Sequence, residues 1–312
     1  MMPSMNKAPI IVPPHKFSKD RLNQDMIFTP LFFDILSQHN PHSDIVFINP
    51  NDFEISNHIR SVHSVPTAHL ESARQASFKA NYLHLSSNGY EFEMGCIERF
   101  FLIGELMRKE HLNAAFVVET DVMIFSDLNS HLETHLDARE NYLIQNRCIG
   151  TAYVTLDFID SYCTNILETY TSSQRRELIS QYYQDYKETN LLGGICDMSF
   201  AYWMNGGEMA MTKTPSHDIS APFRSNNTLH ELQGFDNFLS RSTLGDLDIV
   251  MNKSQVNEWR MKELRFINGY PHCLALDGKT VNLLSVHFQG RAKNLMGIAI
   301  SMYHGRSTAI MP

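Results

Sequence analysis

Two short stretches carry side chains whose type and spacing can do chemistry. The first is Glu119-Thr120-Asp121, which follows directly on the apolar run Ala114–Val118. On an extended chain, positions i and i+2 project to the same side, so the two carboxylates are expected to point together. They stand where an apolar strand stops, and open α/β sheets bind ligands beyond the carboxyl ends of their strands. Two neighbouring carboxylates repel each other unless a proton or a cation relieves them. Hard divalent cations take oxygen ligands and bridge them to phosphates. The pattern points to a divalent cation holding a diphosphate. The plainer alternative is a solvated acidic turn.

The second stretch is His287-Phe288-Gln289-Gly290-Arg291-Ala292-Lys293, again at the end of an apolar run. A neutral imidazole is a ligand for Mn²⁺ and similar ions. Gly290 would let the backbone approach a phosphate closely. Lys293 would then offer a point positive charge to diphosphate oxygens. The chain has 15 histidines, so a hydrogen-bonded surface histidine is the competing reading. The spacing to Gly290 and Lys293 is what singles this one out.

The elements that must position these residues can be read from apolar periodicity. Residues 9–12 read as a short buried strand stopped by Pro13 and Pro14. A helix is expected from about Thr29, with Pro30 at its first position. Residues 45–48 form a second buried strand, and 92–107 carry apolar residues at helical spacing. That helix feeds the strand at 114–118. Short β-like runs follow over 145–158, then a long helical stretch over 161–187 and a strand over 281–288. Alternating strands and helices predict an α/β fold with a doubly wound, mostly parallel sheet flanked by helices.

Composition narrows the function classes. Of 312 residues, 43% are apolar and 19% charged, which is a globular balance. The net charge of −8 and the lack of a long basic run argue against a nucleic-acid partner. Five cysteines without a C-x-x-C pair fit a reducing compartment better than a disulfide framework. The N-terminus has too short an apolar stretch for a signal peptide, and no run approaches a membrane span. A cytoplasmic protein is expected, with room for peripheral attachment to a membrane.

Taken together, the two motifs resemble those of the GT-A glycosyltransferases, and among them the glycogenin-like and lipopolysaccharide galactosyltransferase-like enzymes. Those families carry a helix with an arginine, then a strand, then D-x-D, and near the end an H-x-x-G-x-x-K turn. Here the helix has Glu98-Arg99-Phe100, the acidic motif is Glu119-Thr120-Asp121, and the terminal turn runs from His287 to Lys293. The chain departs from the pattern in three places. Glu119 replaces the first aspartate, Asn294-Leu295 stands where Pro-Trp is usual, and Met198 stands where a glutamine follows the family's intermediate aspartate.

The resemblance implies a single GT-A-like, Rossmann-like domain over 1–312. About 1–200 would bind the nucleotide sugar, and about 201–312 would bind the acceptor and close with the metal and diphosphate turn. It implies Mn²⁺ (or Mg²⁺) held by Glu119, Asp121 and His287. It also implies transfer from a nucleotide-sugar donor such as a UDP-sugar to a glycan, polysaccharide or glycolipid acceptor, with retention favoured. Gly290 and Lys293 would meet the diphosphate, and His15, after the first strand, would meet the base. Asp197, behind the Gly193-Gly194 loop, would face the donor sugar, unless it only caps the following helix. Arg99 would neutralise the sugar phosphate, unless it faces solvent. Asp236 would face the acceptor or simply hold a loop.

Two rival classes remain at this point. A nucleotidyltransferase also joins a metal to a nucleotide, but the Gly-rich phosphate loop expected there is missing from 9–20. A non-catalytic binding or assembly protein has no need for Asp121, His287 and Lys293 together.

Overall fold

The computed structural model describes residues 7–14, 22–50, 62–189, 192–207, 209, 211–220, 223–224, 232–236, 238–244, 246–253 and 260–305. The chain opens with β1 (Ile10–Val12), α1 (Leu22–His39), β2 (Ile45–Asn49), β3 (Val62–Pro66), α2 (Ala73–Asn81), α3 (Tyr90–Lys109), β4 (Ala114–Val118) and β5 (Val122–Ile124). It continues with α4 (Leu128–His135), β6 (Tyr142–Ile144), β7 (Cys148–Thr155), α5 (Leu156–Thr171), α6 (Ser173–Thr189) and α7 (Asp197–Met204). Short strands follow: β8 (His217–Asp218), β9 (Phe223–Arg224), β10 (Leu232–Phe235), β11 (Thr243–Leu244), β12 (Leu247–Asp248), β13 (Met251–Lys253) and β14 (Arg260–Lys262). The last elements are β15 (Arg265–Ile267), β16 (Tyr270–Leu274), β17 (Thr280–His287) and α8 (Met296–Tyr303).

Among the described residues, a seven-stranded sheet runs in the order β3-β2-β1-β4-β7-β6-β8. β3, β2, β1 and β4 pair in parallel, β7 is antiparallel to both β4 and β6, and β8 is parallel to β6. This is the mixed, mostly parallel sheet flanked by helices that the periodicity predicts. Both faces are covered, which is why β4 is apolar throughout. Its Ala115 and Val117 join the core of α3, α5 and α7, where Phe100, Ile159 and Phe200 lie. Its Phe116 and Val118 join Phe32 and Phe33 of α1 and Leu132 of α4 on the opposite face.

A second, six-stranded sheet has the order β15-β16-β17-β10-β9, with β5 paired to β17. Its core includes Ile35 of α1 and Ala299 and Ile300 of α8. The β5–β17 ladder is antiparallel, with Ser285 opposite Ile124, Val286 opposite Met123 and His287 opposite Val122. Because β5 follows β4 after a single tight turn, this ladder joins the second sheet to the end of the first. No helix among the described residues is long and apolar enough to cross a membrane.

Three elements differ from the sequence reading. The helix expected from Thr29 is already formed by Leu22, with Pro30 inside it. An interior proline costs roughly 3 kcal/mol, but Phe32, Phe33 and Leu36 in the next turn are all buried. Each such side chain is worth about 1.5–3 kcal/mol, which offsets the proline. The stretch over 161–187 is two helices, α5 and α6, with Ser172 between them as the C-cap of α5. The second sheet is built largely from strands of two to five residues, too short for alternation to register in the sequence.

Candidate functional site

Glu119 and Asp121 sit in the turn between β4 and β5, which closes with the Val122 amide donating to the Glu119 carbonyl at 3.0 Å. The residues are therefore not extended, and the i, i+2 argument does not hold for them. The tight turn, not strand alternation, brings both carboxylates to one place. Strand pairing supplies the third group. His287 ends β17 opposite Val122, and the Phe288 amide donates to the Asp121 carbonyl at 2.8 Å. The imidazole Nε2 then lies 3.7 Å from Asp121 Oδ1. Ligating atoms of Glu119, Asp121 and His287 all fall within 4.8 Å of one another. Asp121 is 5% exposed and His287 2%.

Lys293 closes the cluster from the 3₁₀ turn after β17, with its Nζ 3.1 Å from Asp121 Oδ2. Gly290, the first residue of that turn, has φ +59° and an exposed backbone with open space where a Cβ would stand. It meets the need for a left-handed residue there. The floor of the cluster is Gly150 in β7. A Cβ at that position would stand 3.1 Å from His287 Cε1, 3.3 Å from Glu119 Oε2 and 3.4 Å from Cys148 Sγ. Two carboxylates and an imidazole that converge over a position without a side chain fit a divalent cation. Burial pushes the Cys148 thiol up, with Glu119 adding to that, and burial pushes Cys196 up to about 12.

Arg99 is not the solvent-facing arginine that was the alternative reading. It is 5% exposed in the middle of α3. Its Nη2 lies 2.5 Å from Glu119 Oε1 and 2.7 Å from Asp197 Oδ2. Burial pulls the guanidinium pKa down, but Glu119 and Asp197 outweigh that and hold it well above its ordinary value. Arg99 thus ties the acidic motif to the start of α7. Asp197 is the first residue of that helix, not its cap, which is Cys196. Its Oδ1 accepts the Met198 amide at 2.9 Å, and its carbonyl accepts the Tyr162 hydroxyl at 2.6 Å. The loop before it can lie close because Gly194 has φ +155°. A Cβ there would meet the Leu85 carbonyl at 2.3 Å.

The cluster as a whole sets the carboxylates of Glu119, Asp121 and Asp197 against two fixed cations, Arg99 and Lys293. No protein-family model matches the chain, and no curated protein matches it. Among solved structures it is similar to the glycosyltransferase GlyE of Streptococcus pneumoniae TIGR4, at 15% identity and a TM-score of 0.36, over 68% of this chain and 45% of that one. The apo form of GlyE gives 12% identity and a TM-score of 0.33 over the same shares of the two chains. The apo structure of the bifunctional glycosyltransferase WbbM gives 14% identity and a TM-score of 0.28, over 46% of this chain and 24% of that one. The chain spans less than half the length of these structures.

His15 lies outside the described residues. Asp236 does not face an open acceptor space. It is fully buried and paired with Lys262 at 2.6 Å. Three residues next to the site carry no sequence signal strong enough to select them. Gly150 looks like any strand glycine until the fold sets His287 above it. Lys262 sits in a charged run, Arg260 to Glu263, that reads as solvated surface. Glu93 opens α3 like an ordinary first-turn acid, yet it is 1% exposed. It accepts hydrogen bonds from Ser86 Oγ at 2.9 Å and Asn88 Nδ2 at 2.8 Å, and lies close to Asp197 and Cys196. Burial pushes its carboxyl up, the two hydrogen bonds pull it down, and Asp197 adds to the rise.

Proposed function

We propose that this chain is a metal-dependent glycosyltransferase that moves a sugar from a nucleotide diphosphate donor, a UDP-sugar, to a hydroxyl of a glycan, polysaccharide or glycolipid acceptor. The observation that carries the reading is the convergence of Asp121, His287 and Lys293, from opposite parts of the chain, beside Glu119. Two ligands of one cation at about 2.0–2.3 Å each stand roughly 3–4 Å apart, and the 3.7 Å between His287 and Asp121 supports that spacing. Glu119, Asp121 and His287 would hold Mn²⁺ (or Mg²⁺). When bound, that ion supplies positive charge to the diphosphate as it leaves.

In this reading Lys293 sets a second positive charge against the same leaving group. Arg99 fixes Glu119 and Asp197 in place, so that one end of the Glu119 carboxylate is held while the other is turned towards His287 and Gly150. Asp197 faces the donor sugar from the start of α7. The bond from the anomeric carbon to the diphosphate oxygen breaks, and a bond from that carbon to the acceptor oxygen forms. Asp197 is already engaged by Arg99 and the Met198 amide, which favours passing the acceptor proton to the departing diphosphate, and hence retention. Residues up to about 200 bind the donor. The remainder shapes the acceptor side and returns His287 and Lys293 to the cation.

The test is release of UDP from a panel of UDP-sugars, each with Mn²⁺ or with excess chelator. Mn²⁺-dependent release from at least one donor is expected. Release that persists in full with the chelator contradicts the metal, and no release from any nucleotide sugar contradicts the donor class.

A further inference from the structure

We propose that the buried Asp236–Lys262 ion pair is a positioning device for His287, acting on its backbone directly and on its ring through Phe238. The inference rests on the reading of His287 as a cation ligand. Neither Asp236 nor Lys262 touches the proposed cation site; both act through the histidine.

The arrangement begins where β10 ends. β10 runs parallel to β17 as far as Phe235, which pairs with Ser285, and the register shifts between Gly234 and Phe235. Beyond that point β10 no longer offers a carbonyl to β17, and the Asp236 carboxylate takes its place. Asp236 Oδ2 accepts the His287 amide at 3.1 Å, and the Asp236 amide donates to Ser285 Oγ at 3.2 Å. A carboxylate in this position needs a counter-charge. Lys262, the last residue of β14, donates to Asp236 Oδ1 at 2.6 Å and to the Phe238 carbonyl at 2.9 Å. Both side chains are 0% exposed.

The pair therefore fixes Asp236, Phe238 and Leu239 under the end of β17. Phe238, whose carbonyl Lys262 holds, lays its ring beside the imidazole, with ring centroids 4.7 Å apart. The Leu239 amide donates to the His287 carbonyl at 3.1 Å, and the Lys262 amide donates to the Leu239 carbonyl at 2.9 Å. His287 is thus held by its amide, its carbonyl and a tilted contact on its ring. Burying two charges is a poor way to gain stability, since an apolar pair of similar volume often serves as well or better. A pair placed here fixes geometry instead, and the geometry it fixes is that of one side chain of the cation cluster.

The experiment is a Mn²⁺ titration of the full chain, read by electron paramagnetic resonance. Wild type is compared with Asp236→Ala, Asp236→Asn, Lys262→Met and Phe238→Leu, each checked for its fold by circular dichroism and held below its Tm. Asp236→Ala and Lys262→Met are expected to weaken Mn²⁺ binding by about 10- to 100-fold. Asp236→Asn keeps an oxygen for the His287 amide and should recover part of that loss. Phe78→Leu, in the core of the other sheet face, should lower Tm without changing Mn²⁺ affinity. Should Asp236→Ala not fold, Asp236→Asn and Phe238→Leu carry the comparison, each with a weaker loss. Wild-type affinity in the folded variants overturns the positioning role and leaves the cation site standing. A wild-type chain that binds no Mn²⁺ overturns the cation site, and the positioning role with it.

Discussion

The imidazole of His287 lies 3.7 Å from the carboxylate of Asp121 because a short antiparallel ladder sets His287 opposite Val122, the residue after that aspartate. The contact is a product of topology. The turn after β4 brings two carboxylates together, β5 continues from it into the second sheet, and β17 returns the far end of the chain to the same turn.

Gly150→Ala probes the floor of the cluster. The added Cβ would stand 3.1 Å from His287 Cε1 and 3.3 Å from Glu119 Oε2, and both of those side chains are held from behind. The cluster must therefore give by a few tenths of an ångström. Overpacking of this kind costs about 1–3 kcal/mol of stability. Mn²⁺ affinity should fall about tenfold, as for other changes that disturb ligand placement. Calorimetric titration checks this. Unchanged affinity would move the centre of the cation site away from Gly150.

Arg99→Met leaves Glu119 and Asp197 buried without their shared cation. Removing one partner of a buried ionic cluster typically costs about 3–5 kcal/mol. Urea unfolding should show a loss of that order. Arg99→Lys should lose less, because it keeps the charge, and a single nitrogen, Nη2, meets both carboxylates. A loss below about 1 kcal/mol in Arg99→Met would contradict the tie between α3, the acidic motif and α7.

Lys293→Ala removes a half-buried charge from the diphosphate side. A charge-assisted contact is worth about 1.5–3 kcal/mol, so turnover should fall by about 10- to 100-fold. Affinity for uridine should change little, since Lys293 lies beside Asp121 on the cation side of the site. Steady-state kinetics with uridine as a competitive inhibitor separates the two effects. Unchanged turnover would leave Lys293 a partner of Asp121 alone.

His131, on α4 beneath the second sheet, sets a pH dependence of stability. Burial, with the neighbouring His135 adding to it, lowers its pKa to about 4. The unfolded chain protonates this histidine near 6.5 and the folded chain only near 4. The unfolded state therefore binds more protons in that window. Stability is fully present above pH 6.5 and is lost as pH falls towards 4, by an amount on the order of 3 kcal/mol. Tm measured from pH 7 to pH 4 should fall, and His131→Gln should flatten the slope. An identical slope in the variant would contradict the shift.

Much of the first sheet was legible because β1, β2 and β4 are buried on both faces and read as unbroken apolar runs. The two motifs were legible because each stands where such a run stops. Other features were hidden for physical reasons. The helix pattern leaves Arg99 open between a site residue and a solvent-facing one, and only the packing of α3 under β4 shows that its partners are Glu119 and Asp197. Asp236 and Lys262 each look like polar loop or edge residues, since a buried ion pair between distant segments leaves no local pattern. The strands of the second sheet are too short for period-two alternation to stand out. The i, i+2 argument placed Glu119 and Asp121 together on the wrong backbone geometry, because the turn at Glu119 to Asp121 brings together what an extended strand would also have brought together.

The central claim is that Asp121 and His287 share one cation. Its most direct test is a Mn²⁺ titration of the wild-type chain, Asp121→Asn and His287→Ala, read from the free-ion electron paramagnetic resonance signal. The expected result is one tightly bound Mn²⁺ per wild-type chain, lost in both variants while their circular dichroism spectra stay those of the folded protein. Binding that survives undiminished in either folded variant, or a wild-type chain that takes up no Mn²⁺, would contradict the shared site.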